Sequence, residues 1–133
     1  MKTSGARLLV AFAAVLALCG TSPGVSAAGS AAAGGAQFRA KCGICHKAAP
    51  SANSIGPTLY GVFGRKAGTA PGYHYSDAIA SAGFVWDEER LDAFLKDPRA
   101  AAPGTKMSFP GLPDAGQRAD LVAFLKSLAP GQP

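Results

Sequence analysis

Two thiols and an imidazole fall within five consecutive residues, Cys42-Gly43-Ile44-Cys45-His46. On a helix, positions three and four apart share one face, so Cys42, Cys45 and His46 would be presented together. Two sulfurs one turn apart can reach the two vinyl groups on one edge of a haem. The imidazole beside the second sulfur is then carried under the iron. This spacing is that of c-type haem attachment. A structural zinc site would need a further ligand at suitable spacing, and beyond residue 27 the chain has no other cysteine. A redox dithiol calls for a βαβ context, which the glycine- and proline-broken stretch downstream does not provide. A disulfide between the two cysteines is the remaining bland reading.

A haem iron has a second face to fill. Outside the first 27 residues the chain holds one other histidine, His74, and one methionine, Met107. Methionine is usually a core filler. Here it sits in Pro103-Gly104-Thr105-Lys106-Met107, a stiff, turn-rich strap between two amphipathic stretches and a poor place for a packing residue. His74 lies in a loop between Tyr73 and Tyr75. Met107 is therefore the expected sixth ligand and His74 a loop residue. A His/Met pair occupies both axial positions and raises the reduction potential, which favours electron transfer over oxygen or peroxide chemistry.

The elements that must position these groups begin after an export signal. Lys2 and Arg7 form a positive start, Leu8 to Leu18 is an unbroken apolar run, and Val25-Ser26-Ala27 is a small-residue cleavage pattern. The run is shorter than the roughly 20 residues of a membrane span, so a cleaved signal peptide over 1–27 is expected rather than an anchor. Cys19 would leave with it, since the large Leu18 before it does not suit a lipoprotein signal. Of the 13 basic and 8 acidic residues, Lys2 and Arg7 fall within the signal, leaving 11 against 8, a net charge of +3. A mildly basic domain of this kind is not a nucleic-acid binder. So small a domain struggles to bury enough apolar surface alone. A haem would supply a large apolar core element, and two covalent links would restrain the unfolded chain.

Residues 28–34 read as a flexible, small-residue leader, with the domain proper at 35–133. Phe38, Cys42 and Cys45 would share one side of a first helix. Ala49 to Gly72 is dense in glycine and proline and reads as loops. Ser76-Asp77 opens a short helix that Gly83 closes. A third helix starts near Asp87 and ends before Pro98. The last starts from Asp114, with Gln117 three residues on, and runs through Leu121, Val122, Phe124, Leu125 and Leu128. The fold class is all-α, three to five helices with long loops wrapped around one haem.

Beyond the five-residue motif, the chain resembles the class I cytochromes c, especially the mitochondrial and bacterial c2- or c550-like branch, over roughly Gly34 to Leu128. The resemblance rests on Cys42-Gly43-Ile44-Cys45-His46, on Gly56-Pro57-Thr58-Leu59-Tyr60-Gly61-Val62-Phe63-Gly64-Arg65-Lys66-Ala67-Gly68, on Tyr73-His74-Tyr75-Ser76-Asp77-Ala78, on Trp86 and on Pro103-Gly104-Thr105-Lys106-Met107. It implies thioethers from Cys42 and Cys45 to one haem c, with His46 and Met107 as axial ligands. It also implies a bond from the His46 ring N–H to the Pro57 carbonyl. Arg65, Tyr75 and Trp86 match positions that face the haem propionates, and Thr105 in the strap counts with the cofactor-binding residues. Gly34, Phe38, Leu121 and Phe124 match the crossing of the first and last helices, and Phe109 matches an aromatic beside the exposed haem edge. Two positions depart: Phe94 stands where a tyrosine is frequent and Ile79 where an asparagine is frequent. Both replacements are apolar and imply a drier methionine side.

The function implied is that of a soluble periplasmic one-electron carrier, not an enzyme. It would be a monomer shuttling between a donor complex or dehydrogenase and a terminal acceptor, without nucleic acid or small-molecule substrate. Lys41, Lys47, Arg99 and Lys106 flank haem-bearing segments, whereas Asp87, Glu88, Glu89 and Asp92 cluster at the third helix. That dipole would steer the positive end toward acidic docking surfaces on redox partners. The rival classes are a haem enzyme or gas binder, which would need an open iron with His74 as distal group, and a haem-free zinc module.

Overall fold

A serine side chain sets where the first helix begins. In the computed structural model, which describes residues 28–128, Ser30 Oγ accepts the Ala33 N–H at 3.3 Å and opens α1, Ala31–Gln37. The helix passes directly into a π-helical turn, Phe38–Cys42, closed by the Gly43 N–H to the Phe38 carbonyl at 2.7 Å. Short π segments of this kind recur at functional sites. Four further helices follow: α2 Asp77–Ala80, α3 Glu88–Lys96, α4 Pro98–Ala101 and α5 Ala115–Ser127. Asp87 caps α3 through the Arg90 N–H, and Asp114 caps α5 through the Gln117 N–H. The described residues form no strand, only an isolated bridge between Lys66 and Val85. The all-α architecture with long loops is the one read from the sequence.

Residues 31–34, read as part of a flexible leader, are instead the first turn of α1, with Gly34 and Gly35 buried. The segment before it is held too: the Ser30 N–H donates to Asp120 Oδ1 at 2.7 Å. A Cβ on Gly29 would overlap the Ala119 carbonyl. Small residues carry no apolar face for periodicity to register, yet they let backbones approach closely. That close approach is what joins α1 to α5. Gly34 lies against the Asp120 backbone, and the Phe38 and Phe124 rings meet with centroids 5.3 Å apart.

The short α4 was not expected either. Asp97 Oδ1 accepts from the N–H groups of Arg99 and Ala100, and Pro98 takes the first helical position, where its missing N–H costs nothing. The proline that stops α3 therefore also starts the next turn. The core gathers Phe38, Val62, Ile79, Trp86, Leu91, Leu95, Leu112, Leu121, Val122 and Leu125 from along the described residues. The expected signal peptide and Cys19 lie outside the described residues. Among those described, no helix is long and apolar enough to cross a membrane.

Candidate functional site

The π-helical turn delivers Cys42, and the chain keeps turning beyond it. The Cys45 and His46 N–H groups both donate to the Cys42 carbonyl, at 3.0 and 2.8 Å. One turn thus carries all three side chains to the wall of a single cavity, with Ile44 exposed at its rim. Cys42 and Cys45 are not bonded to each other. Burial pushes the Cys42 thiol up, opposite to the lowered value of a reactive redox dithiol. Among the described residues no three His, Cys, Asp or Glu side chains converge as a metal cluster.

His46 is buried, and its Nδ1 lies 2.8 Å from the Pro57 carbonyl oxygen. A carbonyl only accepts, so Nδ1 carries the proton and Nε2 keeps its lone pair for a metal. Burial pushes the imidazole down, and the bond to Pro57 opposes this in part. The lowering favours the neutral ring, the form that ligates. A residue the sequence reading did not single out makes the arrangement possible: any Cβ on Gly56 would overlap the His46 ring. Thr58, also buried, donates to the Ala49 carbonyl at 2.6 Å while its N–H meets Asn53 Oδ1. These bonds fix the loop that presents Pro57.

Met107, half-buried, also lines the cavity, with its N–H near Thr105 Oγ1 at 3.4 Å. Lys106 Nζ donates to the His74 carbonyl and sits 4.7 Å from the Tyr73 ring centroid, tying the strap to the 73–75 loop. The His74 side chain is exposed and does not line the cavity. Arg65, Tyr75, Trp86, Thr105 and Phe109 do line it. Arg65 donates to the carbonyls of Tyr60 and Thr58. The Tyr75 hydroxyl accepts the Ala70 N–H at 3.2 Å, leaving its own proton free to donate. Trp86 stands edge-on between Phe84 and Phe94, at 4.7 and 5.1 Å. Ile79 and Phe94 put hydrocarbon on the cavity wall that Met107 shares.

The residues fit a haem. A cleft of about 540 Å³ opens into the core, the scale of a cofactor pocket. Its lining is mostly apolar, but Ser76, among the lining residues, has its Oγ buried without a hydrogen-bond partner. A buried hydroxyl of that kind calls for a polar acceptor or donor on the bound group. No sequence signal marked Ser76 beyond its place at the start of α2.

A shell of helices and long loops around such a cavity, with a Cys-x-x-Cys-His turn in its wall, defines a c-type haem protein. The family model for cytochrome c matches residues 31–129. The chain is 45% identical over 100 residues to cytochrome c of Euglena viridis, covering 75% of this chain and 98% of that protein. It is 48% identical over 92 residues to cytochrome c2 of Rhodomicrobium vannielii, covering 68% and 74%. The structure superposes on cytochrome cH from Methylobacterium extorquens with a TM-score of 0.69 and 46% identity, covering 74% of this chain and 99% of that one. The chain belongs to the cytochrome c family. It is a haem-containing electron carrier, not an enzyme, and it holds haem c covalently through Cys42 and Cys45. Its partners are redox proteins, and it turns over no small-molecule substrate.

Proposed function

We propose that the protein is a soluble periplasmic one-electron shuttle with His46 and Met107 as the axial ligands of its haem. Residues 1–27 are its cleaved export signal, and the monomeric domain that follows passes electrons from a donor complex or dehydrogenase to a terminal acceptor. The observation that carries the ligand assignment is the shared cavity: His46, with Nε2 left free by the Pro57 bond, and the Met107 thioether both line it, and His74 does not. When bound, the haem supplies an iron that alternates between ferric and ferrous. The chain's part is to hold the imidazole, cap the other side with a thioether and exclude water. Arg65, Tyr75, Trp86 and Thr105 serve the bound group, the first three as donors toward its carboxylates. Absorption spectra with and without carbon monoxide test this reading. The expected result is a low-spin haem whose ferrous spectrum ignores the gas. Carbon monoxide binding to the native protein would instead indicate an open iron and a gas binder or enzyme.

Steering toward acidic partners rests on Lys41, Lys47, Arg99 and Lys106, all exposed. The acidic end of the proposed dipole is partly engaged locally: Asp87 caps α3, Glu88 pairs with Lys126 at 2.9 Å, and Asp92 pairs with Arg118 at 2.7 Å. Lys41 and Lys106 line the cavity itself, so they stand where a partner would approach it. Electron transfer to an anionic cyanometallate should slow as ionic strength rises from low to physiological, across the range where the Debye length shrinks from about 30 to about 8 Å. A rate that is flat or rising with salt would rule out a positive docking face.

A further inference from the structure

Arg118 is the one buried lysine, arginine or carboxylate among the described residues. A guanidinium keeps its charge, so burying it is costly unless its donors are satisfied. Here Nε donates to Asp92 Oδ1 at 2.7 Å, and Nη1 donates to the carbonyls of Leu112 and Pro113, each at 2.8 Å. Asp92 is on α3 and Arg118 on α5. Leu112 and Pro113 close the strap that carries Met107.

The strap is held by its ends. At its start the Thr105 N–H bonds the Ala102 carbonyl at 3.0 Å, and at its far end the Leu112 N–H bonds the Leu95 carbonyl at 2.8 Å. Between these two bonds residues 106–111 make no backbone–backbone hydrogen bond. Gly111 brings the far end tight against α3: its φ is +100°, and a Cβ there would overlap the Lys96 carbonyl. The position of Met107 thus depends on where the strap is anchored, and Arg118 ties the far anchor to two helices at once.

We infer that Arg118 is a positioning residue for Met107, fixing the far end of the strap so that the thioether stays in the cavity. The inference rests on Met107 being the second axial ligand. In the docked strap the fork reaches two carbonyls and a carboxylate; a strap swung outward gives up both carbonyl bonds. Arg118 therefore stabilises the docked arrangement over the open one, beyond any part it plays in joining α3 to α5.

The experiment uses the haem-loaded protein and two readouts: affinity of the ferric form for imidazole, and hydrogen exchange at the Leu112 amide. Arg118→Lys keeps the charge but lacks the fork. Phe124→Leu is the control, loosening the α1–α5 contact away from the strap. Imidazole binds only when the thioether is off, so its apparent affinity scales with the open fraction. The expected result for Arg118→Lys is a rise of about tenfold in affinity, with Leu112 exchange faster by a similar factor. Phe124→Leu should lower the denaturation midpoint and change imidazole affinity by less than about twofold. Gly111→Ala strains the same anchor through the backbone and should raise imidazole affinity as well, which keeps the test open if Arg118→Lys fails to fold. Native-like imidazole affinity in Arg118→Lys or Gly111→Ala, or a rise matched by Phe124→Leu, overturns the inference. A native protein without methionine–iron absorption sinks the ligand assignment itself, and the inference with it.

Discussion

Met107→Ala should lower the reduction potential by on the order of 0.2 V, a fraction of the roughly 0.8 V that axial ligands span. It should also make the iron accessible to carbon monoxide. A thioether favours the ferrous state relative to harder donors, so its loss stabilises ferric iron and moves the potential downward. The side chain sits half-buried on the cavity wall, and alanine cannot reach across the space it leaves. Nothing nearby substitutes readily. His74 is exposed and off the cavity, and Lys106 is engaged with the His74 carbonyl and the Tyr73 ring. Apolar Ile79 and Phe94 offer no donor atom. The companion variant His74→Ala should keep native potential and spectrum. If Met107→Ala retains a closed low-spin haem and His74→Ala loses it, the two roles are reversed and the assignment of Met107 fails.

Gly34→Ala should destabilise the protein by about 3 kcal/mol, through overpacking of a backbone contact that cannot yield. Helix propensity alone gives the opposite sign, since alanine in an open helix is better than glycine by about 1 kcal/mol. The crossing decides between them. A Cβ at residue 34 would overlap the Asp120 carbonyl and press on the Phe124 Cβ, so α1 would have to lift from α5. Lifting it also separates the Phe38 and Phe124 rings and moves the turn that holds Cys42. Exposed Ala36 is the reference: Ala36→Gly should cost only about 1 kcal/mol. Denaturant unfolding of both variants settles the matter. A Gly34→Ala protein as stable as the native one would show that the crossing has room, contrary to the contact described.

The haem motif and the helix starts at Asp87 and Asp114 were legible in the sequence, because each depends on residues close along the chain. Spacing puts Cys42, Cys45 and His46 on one turn whatever the rest of the fold does, and a cap needs only the next turn's N–H groups. The first turn of α1 was not legible from composition or periodicity, although the resemblance places Gly34 at the crossing with the last helix. Its stability comes from Asp120 and Phe124, about ninety residues away, and a run of alanine and glycine has no periodic face to reveal a partner. Gly56 is similar: its requirement comes from the ring of His46 lying over it. Ser76 and Arg118 look like ordinary polar residues of a helix start and a helix interior. One becomes an unpartnered hydroxyl in a cavity wall and the other a buried fork only when α2, α3, α5 and the strap are brought together. The sequence by itself determined that Cys42 and Cys45 can hold haem c and which residues stand as candidates for its iron, since that is a matter of residue type and local spacing. Which side chains hold those residues in place was decided by tertiary structure alone, because burial and backbone approach exist only between segments distant in the chain.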